Sequence, residues 1–168
     1  MAGREKTGIE NAEAGLFQGA VCAVCPTQRT DGDALETVKR LWTAVGARVL
    51  PIGAGLHDRI VARTSHLPHL VAAVLTGTAG EILSGEELAL EFIASGFLDT
   101  TRIAAGDPVM WRDICRDNRR EILSSISEFK EQLERIEEWV REGKTEEISR
   151  ELARVQRIRQ EIGNNRKP

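Results

Sequence analysis

Arg102 is the residue whose type and surroundings most clearly suggest ligand chemistry. A planar guanidinium can hold a carboxylate or a phosphate with two hydrogen bonds. We expect Gly96 to turn the chain with a positive φ, and Gly106 to end a short helix in the left-handed conformation. Asp107 then caps the next helix, with Pro108 in its first turn. An arginine beside exposed helix N–H groups suits an anionic ligand. A surface arginine at a helix corner is the alternative.

The stretch Ser65-His66-Leu67-Pro68-His69 contains two histidines that could also contact a ligand. His66 and His69 are three residues apart, so they share one face of a helix. Pro68 bends that helix because it removes an N–H donor. His57 is nine residues before His66, so we expect it to point away, which leaves a metal without a third ligand. The pair either presents imidazole donors to an anionic or hydroxylic ligand, or consists of satisfied core histidines.

Two further patterns are weaker. Cys22 and Cys25 have the spacing of a redox or zinc pair, but they lie on a predicted strand, where this offset places the sulfurs on opposite faces. We interpret both as small buried hydrophobic residues. Gly53-Ala54-Gly55 resembles the start of a dinucleotide loop, but the third glycine position holds Asp58. Neither pattern predicts a metal or cofactor site.

Composition excludes several classes of protein. The 168 residues are 41% hydrophobic and 29% charged, with a net charge of -3, which is typical of a soluble globular protein. The charges are interspersed, aromatic content is 4% and tyrosine is absent, so we expect no nucleic-acid partner. No apolar run reaches the length of a membrane span, and no signal peptide is recognisable. An odd number of cysteines predicts no disulfide framework. We therefore expect a cytoplasmic protein.

The elements that must position these residues divide the chain in two. Residues 1–56 predict strand–helix–strand: a strand over 21–24, an amphipathic helix over 33–45 ended by Gly46, and a strand over 47–52. Two strands and one helix do not bury a sheet by themselves. We interpret residues 1–56 as the remnant of an α/β domain and residues 57–168 as an all-helical domain. The predicted fold class is mainly α.

Besides the short helix that Gly106 ends, four helical segments are predicted in the second part. One runs over 56–83 and is broken by Pro68, and a short one covers 86–95. The longest runs from Pro108 to about Glu142, and Thr145 caps the last. In the longest helix an apolar stripe steps by four and three residues, as a seam for a partner helix does; its members are Ile122, Ile126, Phe129, Leu133, Ile136 and Val140.

Four stretches taken together carry a resemblance: residues 1–8, 57–69, 96–102 and 107–113, in this order. They resemble the prephenate dehydrogenase family, including its arogenate and cyclohexadienyl relatives. The resemblance implies a dinucleotide-binding domain followed by an all-helical dimerisation domain, and hence a homodimer. It also implies an oxidoreductase that oxidises prephenate with NAD or NADP, with loss of carbon dioxide. The product is 4-hydroxyphenylpyruvate, on the path to tyrosine.

The resemblance implies substrate-binding roles for several residues. Arg102 matches the arginine that pairs with a carboxylate of the substrate, and prephenate is a dicarboxylate. Glu5 matches an active-site acid, and His66 matches a histidine linked to substrate or tyrosine binding. The remaining substrate-binding candidates, of which the first two shape the pocket, are Asp99, Trp111, His69 and Arg4.

The catalytic histidine of the family lies in a His-Pro pair directly before the match to Met1, so we expect no catalytic residue in this chain. No glycine-rich cofactor loop occurs in the 168 residues, so we expect no bound cofactor and no activity of this chain alone. One alternative is a helical regulatory module that binds tyrosine or an aromatic acid without chemistry. A helical chorismate mutase is the other, but it needs several cationic groups in one core, and only Arg102 is a strong candidate.

Overall fold

The computed structural model describes residues 8–165. It begins with the predicted strand–helix–strand unit: strand β1 (Val21–Val24), helix α1 (Gly32–Ala44) and strand β2 (Arg48–Pro51). The strands are parallel, with Val21 opposite Arg48. The fold class, mainly α with a short α/β unit in front, is confirmed.

Local capping explains the ends of α1. Asp31 precedes it and accepts a hydrogen bond from the Ala34 N–H at 2.9 Å. Gly46 follows with φ of 86°, a conformation that favours glycine. Under the sheet, Phe17 and Trp42 meet edge to face with ring centroids 5.2 Å apart.

The next helical run contains an irregularity. Helix α2 (Ala54–Val61) continues through a π-helical segment (Ala62–His66) into helix α3 (Leu67–Leu83). The predicted interruption near Pro68 is therefore confirmed, but it takes the form of wider turns before the proline. Ala62 and Ala72 are fully buried on this run, so small side chains lie where other elements pack closely.

The segment after α3 differs from the prediction in several details. A 3-10 helix (Glu87–Phe92) replaces the helix predicted over 86–95. Helix α4 (Ser95–Thr101) passes directly into a 3-10 turn (Arg102–Ala105). Gly96 lies inside α4 and has no positive φ, and Gly106 is extended, with φ of -65° and ψ of 157°. Both predictions of left-handed glycines were wrong, because the short helix ends through a tighter 3-10 turn that needs no left-handed residue.

The longest predicted helix is two helices. Helix α5 (Pro108–Asp117) ends at Asn118, and helix α6 (Arg119–Arg141) starts directly after it. The apolar periodicity continues across this junction, so hydrophobic spacing alone does not reveal the break between α5 and α6.

The chain forms two compact units that divide after Leu123. The second unit consists of the rest of α6 and helix α7 (Thr145–Asn165), joined by a turn with Gly143 at φ of 67°. Much of its apolar surface is exposed, including Leu133 (55%), Val140 (65%) and Leu152 (60%). No described helix has the length and apolar character of a membrane span.

Candidate functional site

The Asp107-Pro108 corner is formed as predicted. One carboxylate oxygen of Asp107 accepts hydrogen bonds from the Val109 and Met110 N–H groups, both at 2.8 Å. Pro108 is in the first turn of α5, where a missing N–H removes no helical hydrogen bond. This corner fixes the start of α5 and thereby the position of Trp111 one turn later.

Trp111 and His69 form the centre of the site. Their rings are stacked, with centroids 3.4 Å apart and planes 8° from parallel. His69 is buried (6% exposed). Burial lowers the pKa of His69, and a hydrogen bond to the backbone of Ile103 opposes this shift. The imidazole is therefore neutral at pH 7 and holds α3 and α5 together through the indole.

Gly106 makes this stack possible. A Cβ at this position would lie 2.5 Å from Trp111 Nε1 and 3.0 Å from His69 Cε1. The first distance is too short for a real Cβ and the second is tight, so the glycine is favoured by a close approach and not by its backbone conformation. Gly106 is thus a member of the site that sequence reasoning assigned to a different role.

Arg102 begins the 3-10 turn that packs against α3. Its side chain is exposed, and the next residue, Ile103, is the hydrogen-bond partner of His69. The backbone therefore places Arg102 beside the buried histidine. Asp99 lies one turn earlier on α4 and is also exposed.

His66 extends the site on the other side of the indole. Its ring meets Trp111 edge to face, with centroids 6.1 Å apart and planes at 84°. Its Nδ1 lies 3.2 Å from the amide nitrogen of Asn118. Burial lowers the pKa of His66, the nearby His57 lowers it further, and Asp58 opposes both. His66 is neutral at pH 7 for this reason.

The prediction that His57 points away from His66 assumed a regular α-helix between them, whereas His57 lies near enough to lower the pKa of His66. The π-helical segment (Ala62–His66) explains the error. An i→i+5 turn contains more residues than an α-turn, so each residue rotates the chain by less than 100°. His57 itself contacts Asp58 through Nδ1 and Oδ1 at 2.9 Å.

A separate cavity of about 350 Å3 lies between the sheet and α2. His57 is its one polar lining residue, and the others are Val21, Ala23, Leu50, Ile52, Ile60 and Val61. Its lining is almost entirely apolar. Among residues 8–165 no group of three or more metal-ligating side chains comes together.

Of the predicted site residues, the structure brings His66, His69 and Trp111 into contact. It places Arg102 in the turn bonded to His69, and Asp99 on the preceding helix. Arg4 and Glu5 lie outside the described residues. Sequence reasoning missed Gly106 and Asn118. An asparagine in an otherwise helical pattern was an available signal, because asparagine favours helix ends over helix interiors.

Comparison with known proteins gives two family matches along the chain. Residues 1–51 match the nucleotide-binding domain of prephenate dehydrogenase, and residues 54–154 match its dimerisation domain. The second match alone covers more than half of the chain. These two domain matches, in this order, are those of a family in which a nucleotide-binding domain precedes a helical dimerisation domain.

The relatives agree with this class. Prephenate dehydrogenase of Bacillus subtilis is 35% identical over 150 residues, which are 89% of this chain and 40% of that protein. The crystal structure of the A. aeolicus prephenate dehydrogenase, in complex with hydroxyphenyl propionate and NAD+, superposes with a TM-score of 0.88 at 36% identity. The match covers 96% of this chain and 57% of that one. Synechocystis arogenate dehydrogenase gives a TM-score of 0.80 at 29% identity, over 96% and 59% of the two chains.

The chain therefore belongs to the prephenate dehydrogenase family. It spans less than half the length of the curated Bacillus relative and somewhat more than half of the solved chains.

Proposed function

We propose that this chain provides the substrate-binding and dimerisation part of a cytoplasmic prephenate or arogenate dehydrogenase of tyrosine biosynthesis. The observation that carries the proposal is the His69–Trp111 stack, with Arg102 in the turn bonded to that histidine. The boundary between the two parts is proposed at residues 56 and 57, close to the gap between the two family matches.

The chemistry of the site suits an aromatic-pathway acid. Prephenate carries two carboxylates and a hydroxyl on an unsaturated ring. Arg102 is exposed, and its planar guanidinium has the geometry to bind one carboxylate through two hydrogen bonds. The neutral imidazole of His66 can donate to an uncharged oxygen, whereas the single N–H of neutral His69 is directed to the backbone of Ile103. The indole of Trp111 offers an apolar surface to the ring.

Oxidation further requires NAD or NADP, which accepts a hydride in enzymes of this kind. The strand–helix–strand unit does not fit the cofactor's phosphates by itself. Helix α1 starts with a capping carboxylate, Asp31, which already accepts the Ala34 N–H, and Asp33 is in its first turn. Two negative charges there repel a diphosphate. We therefore propose that the 168-residue chain alone binds the acid but performs no oxidation.

Binding is tested by calorimetry with 3-(4-hydroxyphenyl)propionate, the type of ligand bound in the A. aeolicus structure. Arg102→Ala should weaken binding by roughly 10- to 150-fold, the value of a lost hydrogen bond to a charged group. Arg40→Ala removes an exposed arginine from α1 and serves as the matched control. If Arg102→Ala binds as tightly as the control, Arg102 is not part of the site.

Activity is tested by mixing the chain with prephenate and NAD and following NADH formation. Turnover by this chain alone would refute its proposed inactivity. A regulatory module that binds tyrosine without chemistry is the second candidate, favoured by an exposed Arg102 in the turn bonded to His69, the histidine that stacks on Trp111. Titration with tyrosine and with prephenate separates the two, because a regulatory module binds tyrosine in preference to prephenate.

Homodimer formation is proposed for the helical part, whose family match is a dimerisation domain. In the first unit, Val74 (69%), Ile82 (61%) and Phe92 (84%) are exposed. The second unit exposes apolar side chains on both of its helices: Phe129, Leu133, Ile136 and Val140 on α6, and Leu152, Val155, Ile158 and Ile162 on α7. A single chain leaves more apolar surface open than a monomer normally does.

A further inference from the structure

Asn118 separates α5 from α6 and connects the site to a distant part of the chain. It is half-buried, with φ of -108° and ψ of 31°. Its amide nitrogen lies 2.9 Å from the Asp58 carbonyl oxygen and 3.2 Å from His66 Nδ1. These partners are 60 and 52 residues away in sequence. The interruption of the helix therefore places one amide group between α2 and the π-helical segment.

The identity of the partners decides the direction of both hydrogen bonds. A backbone carbonyl oxygen can only accept, so the group of Asn118 that faces Asp58 must be the NH2 group. That nitrogen carries two hydrogens, and the second one is directed to His66. Because the amide nitrogen has no lone pair to offer, Nδ1 of His66 must be the acceptor and must be without a proton.

The charged groups around His66 agree with this direction. On α2, His57 lowers the pKa of His66 and Asp58 raises it, and the Asp58 carboxylate is itself paired with His57 at 2.9 Å. On α5, the neighbouring side chain is the uncharged indole of Trp111. Burial and His57 outweigh Asp58, so the pKa of His66 is lowered. A protonated ring would direct an Nδ1–H at the NH2 group of Asn118 and lose that hydrogen bond.

We infer that Asn118 is a positioning residue that holds His66 as the neutral tautomer with its proton on Nε2. The Nε2–H is then available as a donor beside Trp111. That this donor meets an oxygen of the bound acid rests on the proposed function. The tautomer itself does not depend on it.

The tautomer is tested on the 15N-labelled 168-residue chain by long-range proton–nitrogen correlation spectra at pH 7.5. His66 should show a protonated Nε2 and an unprotonated Nδ1. Asn118→Asp preserves the shape but replaces the donor with an acceptor, so the proton should move to Nδ1 and the pKa of His66 should rise. Asn118→Leu preserves approximate size and removes both groups, so both tautomers should be populated.

A purely structural role for Asn118 predicts a different pattern. Both variants would then lose stability, while the proton of His66 would stay in place. Asn164→Asp on α7 introduces the same change of charge at an exposed residue and should alter neither property. A native His66 that carries its proton on Nδ1, or one whose proton does not move in Asn118→Asp, would overturn the inference.

Ligand binding separates this inference from the proposed function. At a pH high enough to keep His66 of the variant neutral, Asn118→Asp should weaken binding of 3-(4-hydroxyphenyl)propionate tenfold or more, because the ligand then meets a lone pair of Nε2 instead of an N–H. Unchanged affinity in this variant would show that His66 is not a donor to the ligand. If the native chain binds no such acid at all, the proposed function fails, and the spectra still decide the tautomer.

Discussion

Gly106→Ala tests the centre of the site most directly. The backbone at Gly106 has φ of -65° and ψ of 157°, which alanine adopts without strain. In the unfolded chain, alanine has less conformational freedom, and this alone would stabilise the protein by about 0.4–1 kcal/mol. An alanine at an open position should therefore raise the stability.

The contacts of the added methyl group turn this expected gain in stability into a loss. The new Cβ would lie 2.5 Å from Trp111 Nε1, 3.0 Å from Trp111 Cδ1 and 3.0 Å from His69 Cε1. The atoms it meets belong to two rings that already stack on each other, so neither can rotate away freely. Overpacking of this kind costs about 1–3 kcal/mol. We expect a net destabilisation of about 1–2 kcal/mol once the entropic gain is subtracted.

The assay is thermal unfolding followed by circular dichroism, together with calorimetric binding of 3-(4-hydroxyphenyl)propionate. A loss of this size lowers Tm by roughly 2–8 °C in a chain of this length, and binding should weaken because the indole is displaced. Gly163→Ala in α7 is the control, since its Cβ would meet the flexible end of Arg159 at 3.3 Å. A Gly106→Ala protein as stable and as tightly binding as the native chain would refute the reasoning.

Three further predictions concern pH, capping and assembly. The pKa of His69 is lowered by burial, so the unfolded chain binds more protons than the folded one at pH values just below 6.5. The free energy of unfolding should therefore fall as the pH decreases through this range, and urea titrations should show a smaller fall for His69→Asn. Asp107→Ala removes the acceptor of two helix N–H groups and should lower the free energy of unfolding by about 1 kcal/mol, whereas Asp107→Ser should keep most of it. In sedimentation experiments, Ile136→Lys should convert the dimer to a monomer of 18.6 kDa, whereas Glu134→Lys on the same helix should leave the dimer intact. A dimer that survives Ile136→Lys would exclude this seam from the interface.

The secondary structure was largely predictable because its signals are local. A capping carboxylate before a proline predicted the start of α5, and Asp107 accepts the expected N–H groups. The strand–helix–strand unit followed from two short apolar runs on either side of an amphipathic helix, and both strands pair as parallel neighbours. The family resemblance followed from four short motifs and is confirmed by the family matches.

The errors have a common physical origin in contacts between distant segments. A phase calculation at 100° per residue assumed a regular helix between His57 and His66, but a π-helical segment lies there. Gly106 was assigned a left-handed turn, but it is needed because two rings from α3 and α5 leave no room for a Cβ. The helix break at Asn118 was missed because hydrophobic periodicity continues across it.

The sequence by itself determined the helices, their caps, the apolar stripes and the family, since these depend on neighbours within one or two turns. Tertiary structure alone decided that His69 lies flat on Trp111 and that Asn118 is bonded to His66. Such pairings join residues more than 40 positions apart, and their geometry depends on how whole helices pack. Spacing along the chain does not predict that packing, because a single π-helical turn changes which side chains share a helix face.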